Sequence, residues 1–255
     1  MRATMKILGR AGVVGMAWLA CPAHAYHPMV TDDTGTQGLG GNQLELGYDY
    51  DRNTLGAPSG GGHSFPVTYT RGVGDALDLF AGQVRMSGGV EGWSNVGLGA
   101  KWRFYSNDAS GLSLGLEPEV QLPVSAADEA KGLGNGRLSY ALTFLMARNT
   151  SFGQVFANAM AARENFADGS ITIRRSQYRL SVAPVLDVAQ AWRVALDMGL
   201  KTNPDGGGRY LMRYMEVGTV YSPSAAMDLS VGVIRDAVQG PPRHTKVTSE
   251  VTWHF

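Results

Sequence analysis

Cysteine is nearly missing from this chain: its 255 residues include one, Cys21. A single cysteine excludes a disulfide framework and a multi-cysteine zinc site. Charge is scarce as well. Lys, Arg, Asp and Glu make up 17% of the residues, below the usual quarter. They balance at 22 against 22, and there is no basic block of the kind that holds a nucleic-acid backbone. No apolar run reaches the roughly 20 residues that a membrane-spanning helix needs. Histidine pairs at metal-ligand spacing and a phosphate-binding glycine loop are also missing. Glycine is abundant, at 34 residues in a chain that is 44% hydrophobic. That hydrophobic content excludes a disordered tail.

Part of this composition belongs to the N-terminus. Arg2, Lys6 and Arg10 precede the apolar run from Ala11 to Ala20, and Ala23-His24-Ala25 forms an A-x-A site. This order predicts a secretory signal peptide over residues 1–25, with a mature start at Tyr26. A retained anchor is the alternative, but the run is short for one. Lipidation at Cys21 is another, with Trp18 standing where such sites usually carry Leu. Removal of the signal leaves 19 Lys+Arg against 22 Asp+Glu and no cysteine. The exported chain is then mildly acidic and must fold without disulfides.

Beyond residue 41 the recurring pattern is alternation with period 2, the mark of strands with two unlike faces. Val96, Leu98, Ala100, Trp102 and Phe104 alternate with Asn95, Gly97, Gly99, Lys101, Arg103 and Tyr105. Leu112, Leu114, Leu116, Pro118, Val120 and Leu122 alternate with Ser113, Gly115, Glu117, Glu119 and Gln121. Twelve strands are expected, at about 42–51, 64–72, 76–86, 94–105, 112–123, 137–148, 152–163, 176–188, 191–201, 210–222, 226–236 and 245–255. Soluble strands usually have about 5–6 residues, whereas a tilted strand crossing a bilayer needs about 9–11. Most of these segments have the longer length.

The connections alternate too. Arg52–His63, Asp128–Gly136, Glu164–Arg175, Asn203–Arg209 and Ala237–His244 are long; Val73–Asp75, Asn107–Gly111, Asn149–Ser151, Ala189–Gln190 and Pro223–Ala225 are short, and only Ser87–Gly92 is middling. Short periplasmic turns and long external loops are the rhythm of an outer-membrane barrel. The final strand ends on Trp253 and Phe255, the aromatic terminus of such barrels. Lipid offers backbone groups no hydrogen bonds, so strands span it only as a closed sheet. The expected fold is therefore an all-β, up-and-down antiparallel transmembrane barrel of about twelve strands over residues 42–255. A soluble β-sandwich would also alternate, but with shorter strands and no such rhythm of loops.

The face opposite the apolar one is expected to line the lumen. It carries Glu45, Asp49, Asp78, Lys101, Arg103, Glu117, Glu119, Arg179, Asp187, Arg193, Asp197, Lys201, Asp228, Lys246 and Glu250. Both signs are present, so cross-strand ion pairs or a narrow polar path are expected rather than a ring of one charge. Twelve strands fall between filled eight-stranded barrels and open porins, which leaves the width of the path open. No catalytic, cofactor or metal residues are assigned. His63 precedes Ser64 beside a glycine-rich loop, and His254 has no neighbouring nucleophile in sequence.

Residues 26–41 do not alternate and are too polar for lipid, which makes them a periplasmic segment or a lumen plug. Asp32-Asp33 could hold a cation, but adjacent carboxylates do not converge as spaced ligands do. The run His27-Pro28-Met29-Val30-Thr31-Asp32-Asp33-Thr34-Gly35-Thr36-Gln37-Gly38, followed by Asn42-Gln43-Leu44-Glu45, carries a resemblance, joined by the strand Asn95-Val96-Gly97-Leu98-Gly99-Ala100-Lys101-Trp102-Arg103-Phe104. The chain resembles the outer-membrane family associated with the MetA-pathway of phenol degradation, whose members are often described as transporters. That resemblance implies an outer-membrane barrel passing small, apolar or aromatic molecules, and it carries no site residues over. The partners expected are outer-membrane lipid, the barrel-assembly machinery through the C-terminal strand, and a small-molecule solute, without nucleic acid. The alternatives are a structural or interaction barrel with a closed lumen, or a membrane-embedded hydrolase.

Overall fold

The computed structural model describes residues 28–52, 61–206, 208, 210–236 and 245–255. The expected signal peptide lies outside the described residues, as do 53–60 and 237–244 of the first and last long loops. The strands are β1 (Asn42–Arg52), β2 (Gly62–Gly74), β3 (Leu77–Ser87), β4 (Gly92–Trp93), β5 (Gly97–Asn107) and β6 (Leu112–Gln121). A short helix α1 (Ala126–Lys131) follows, then β7 (Ser139–Thr150), β8 (Gly153–Arg163), β9 (Ser176–Ala189) and β10 (Trp192–Thr202). The last three are β11 (Leu211–Ser224), β12 (Met227–Asp236) and β13 (Thr245–His254).

Sequence neighbours pair antiparallel around one sheet, and β13 returns to β1 with Gln43 opposite His254 and Arg52 opposite Thr245. Asn42 and Phe255 exchange two backbone hydrogen bonds at 2.8 and 3.0 Å and finish the seam. β3 pairs with both β4 and β5, so these two are pieces of one stave. The result is a closed antiparallel barrel of twelve staves.

That divided stave departs from the expected strand over 94–105. The Ser94 hydroxyl accepts from Val84 N at 3.0 Å. Asn95 donates to the carbonyls of Leu122 (2.6 Å) and Asn135 (2.9 Å) and accepts from Asn135 N at 2.8 Å. Local bonds of this kind compete with the ladder. Further along, a bulge between Trp102 and Tyr105 inserts an extra residue opposite β6. Tyr105 then pairs with Leu114 and is exposed, rather than sharing the inner face with Lys101 as the alternation predicts.

The second departure is α1, which forms where a plain loop is expected. The Ser125 hydroxyl caps Asp128 N, and Gly132 at φ 81° ends the helix in the left-handed conformation that glycine adopts without strain. Ser125 and Lys131 hydrogen-bond the Asp128 carboxylate and hold it below the usual carboxylate range.

The exterior is apolar. Leu46, Leu79, Leu142, Leu180, Val217 and Val231 are all exposed, as suits a surface that faces hydrocarbon and not water. Aromatics gather at both ends. Trp192 stacks on Tyr221 with centroids 4.6 Å apart, and Trp102–Phe104 and Trp253–Phe255 pair at 5.7 Å near the short turns. Tyr48 meets Phe65 and His63 toward the long loops. No described helix is long and apolar enough to cross a membrane.

Val217 is 55% exposed midway along β11. Placing arginine there should cost about 2–4 kcal/mol. Urea unfolding of Val217→Arg in lipid vesicles, with heat-modifiable gel migration as the check on folding, measures it.

Candidate functional site

The barrel interior is polar and acidic. Glu45, Asp49, Asp78, Glu117, Glu119, Asp197 and Glu250 are buried, and so are Glu216 and Asp236. Lys101 is the one strand cation as deeply buried among the described residues. The remaining lumen cations sit half-buried beside carboxylates: Lys201–Asp236 at 3.0 Å, Lys246–Asp49 at 2.6 Å and Arg193–Asp228 at 3.4 Å. Arg179 on β9 shares the inward parity of Gln177 and Ser181 and lies opposite Lys201 on β10. Arg103 and Asp187 sit at the short-turn rim, where Arg103 donates to the Asp75 carbonyl at 3.1 Å and Asp187 is exposed. Opposite charges therefore pair, but carboxylates outnumber cations. Asp51, Glu216 and Asp236 are missing from the sequence-based set. Strict alternation would have found them, since Glu216 lies directly opposite Asp197 and Asp236 shares the parity of Asp228.

Residues 28–41 run back into this interior from the start of β1. At the rim, Gly40 N and Gly41 O bond Gly72, both at 2.9 Å. Gln37 N donates to the Asp78 carboxylate at 2.9 and 3.1 Å, and Thr36 donates to the Asp75 carbonyl at 3.0 Å. Thr34 shares a hydrogen bond with Ser113 on β6. Deeper in, Asp32 meets the Lys101 ammonium at 2.5 Å. Thr31 gives both its N–H (2.6 Å) and its hydroxyl (2.8 Å) to Asp197, which also accepts from Tyr214 at 2.9 Å. Met29 is 1% exposed, in an apolar patch made by Ala147, Phe156, Ala183, Val185 and Ala195 on β7 to β10. Pro28 reaches β11 and β12, where a Cβ on Gly218 would strike its ring and one on Gly232 would crowd it. The segment thus spans the lumen from the β1–β3 wall to the opposite side.

A cavity of about 160 Å³ remains beside it toward the short-turn end, with Asp33, Gln37, Glu45, Asp78, Lys101, Asp228 and His254 among its lining. That is room for several waters and less than the 300–1,000 Å³ typical of a small-molecule site. At the long-loop mouth two adjoining loops are tied together. The buried Glu129 carboxylate accepts from the backbone N–H of Gly136 (2.5 Å), Ala167 (2.9 Å) and Asp168 (2.9 Å), joining two loops. Asn135 donates to Glu164 in the same cluster, and burial pushes the Glu164 carboxyl up to about 7.

A hydrolase needs a nucleophile within hydrogen-bond reach of its base. Ser222 and His254 both bond Asp228, on its two different oxygens, so the carboxylate lies between hydroxyl and imidazole. His63 contacts the Tyr48 hydroxyl at 2.9 Å. The described residues contain no group of three or more metal-ligating side chains, and Asp32 is occupied by Lys101.

No protein-family model and no curated protein matches the chain. Solved structures do. An outer membrane channel from Pseudomonas putida F1 superposes with a TM-score of 0.63 at 17% identity, covering 88% of this chain and 98% of that one. The KdgM porin in complex with disordered oligogalacturonate gives 0.58 at 10% identity, covering 84% and 99%. The KdgM porin on its own gives 0.56 at 11%, covering 83% and 99%. The fold is that of an outer-membrane β-barrel. At these identities the likeness extends to the architecture alone, and the barrel's own interior must supply the chemistry.

Asp197 holds Thr31 and Tyr214 at once. Asp197→Ala should loosen residues 28–34 while leaving the barrel closed. Faster backbone hydrogen exchange over those residues, with unchanged heat-modifiable migration, is the expected result.

Proposed function

We propose that this barrel is an outer-membrane channel for small-molecule uptake, with residues 28–41 acting as its plug. The observation that carries the reading is the crossing of the lumen by a segment that is tethered only at β1 and meets the rest of the wall through noncovalent contacts. Its anchors are a set of hydrogen bonds to β1–β3, β6, β10 and β13, the contacts of Asp32 and Asp33 with Lys101, and the seat of Met29. A segment needed only for stability could pack against one wall; this one spans the passage.

Apolar or aromatic cargo follows from where Met29 sits. Its withdrawal uncovers the patch of Ala147, Phe156, Ala183, Val185 and Ala195 inside an otherwise polar lumen. An apolar solute can take the place of the thioether there, while the acidic remainder of the lumen favours cations over anions. Transport requires no catalytic group, and none is assigned. Export through the 1–25 signal peptide and assembly through the β13 terminus, with Trp253 and Phe255 outward, complete the proposal.

Planar-bilayer recording tests it. Deleting residues 28–38 should raise single-channel conductance several-fold, with a reversal potential in a KCl gradient that favours K⁺. Equal, negligible conductance and solute flux in the full chain and the deletion, both folded, would favour a closed structural barrel.

A further inference from the structure

The charges of this barrel are segregated by face. Every described strand carboxylate has inward parity, whereas several arginines have outward parity. Three of these gather at the long-loop ends of adjoining strands. Arg52 on β1 lies opposite Thr245, and Thr245 lies opposite Arg235 on β12. Arg235 lies opposite Met215, two residues from Arg213 on β11. Neighbouring strands are about 4.8 Å apart, so Arg52 and Arg235 stand roughly 10 Å apart and Arg213 about 8 Å from Arg235. All three are exposed.

Like Arg148 at the opposite end of the barrel, they have no partner among the described residues, whereas the remaining outward arginines do. Arg85 stacks over Trp93 at 6.0 Å, Arg163 donates to Ser176 at 2.9 Å, and Arg71 donates to Asn42 at 2.7 Å. Directly below the three lie lipid-facing Tyr50, Val233 and Met215. From Tyr221 in the opposite aromatic belt to Arg213 is eight residues of a tilted strand, about 20 Å along the membrane normal. The guanidinium groups therefore stand at headgroup height on the side of the long loops.

We propose that Arg52, Arg213 and Arg235 form a binding site for the phosphorylated headgroup of an outer-leaflet glycolipid. Guanidinium is planar and pairs phosphate oxygens bidentately. No carboxylate on that face competes for it, and the apolar strand surface beneath receives acyl chains. The spacing lets one headgroup bridge at least two of the arginines. This inference rests on the outer-membrane orientation given above, with the long loops outside.

Native mass spectrometry of the full chain in neutral detergent, titrated with diphosphoryl lipid A, tests the site. The triple variant R52Q/R213Q/R235Q should bind at least tenfold more weakly than the wild type. Fully dephosphorylated lipid A should bind the wild type no better than the variant binds the diphosphoryl form. R52K/R213K/R235K keeps the charge but loses the fork, and should weaken binding several-fold even if the glutamine variant fails to fold. Unchanged binding in a heat-modifiable, folded variant overturns the proposal. So does an equal loss in R71Q/R148Q, which removes outward arginines at the opposite end, or a wild-type dimer that the triple variant abolishes without lipid. Protease accessibility of the long loops on whole cells tests the orientation separately. Its failure would sink the outer-membrane reading, and a lipid result alone would not.

Discussion

Backbone hydrogen bonding in a medium without water is the constraint on which the rest of this structure depends. Each N–H and C=O facing hydrocarbon must find its partner on a neighbouring strand. The seam between β1 and β13 is therefore the decisive pairing. Ten register pairs and the Asn42–Phe255 exchange remove the last free edge. Once the sheet is closed, period-2 alternation sends one face to lipid and the other to a confined interior. The scarce charge and abundant glycine of the chain follow from that division. Gly218 and Gly232 show the use of glycine most directly, since a side chain at Gly218 would occupy the space of Pro28 and one at Gly232 would crowd it.

Confinement also governs the interior electrostatics. Buried carboxylates are costly unless paired or hydrogen-bonded. Here much of that compensation comes from residues 28–41. Asp197 is bonded by Thr31, Asp78 by the Gln37 N–H, and Lys101 is matched by Asp32. Residues 28–41 and the wall are thus electrostatically complementary, and without that segment the interior would be acidic with an apolar patch. The excess of inward carboxylates and the outward arginines are two parts of one arrangement: negative charge within, positive charge at the rim.

The alternation in Asn42–Arg52, Leu112–Gln121 and Trp192–Thr202 made strand limits legible to within a residue or two, because one face of each strand is apolar between its end residues. It failed at Ser94 and Asn95, whose side chains bond backbone groups of Val84, Leu122 and Asn135. Those partners lie 10 to 40 positions away in sequence, and no local pattern announces them. It failed again at Tyr105, where a single bulge reverses the faces. The helix Ala126–Lys131 had a readable cap in Ser125, but its stop at Gly132 lay within a glycine-rich run that reads as loop.

The sequence by itself determined that this chain forms long two-faced strands with alternating long and short connections, since period, length and turn composition are local properties. Tertiary structure alone decided which carboxylate meets which cation, because Lys201–Asp236 and Arg193–Asp228 each reach across an intervening strand. It also decided the path of residues 28–41. A polar, non-alternating segment has no preference of its own between water and a lumen. Only the closed barrel, with Asp197, Lys101 and the Met29 seat converging from separate strands, makes the interior the lower-energy place.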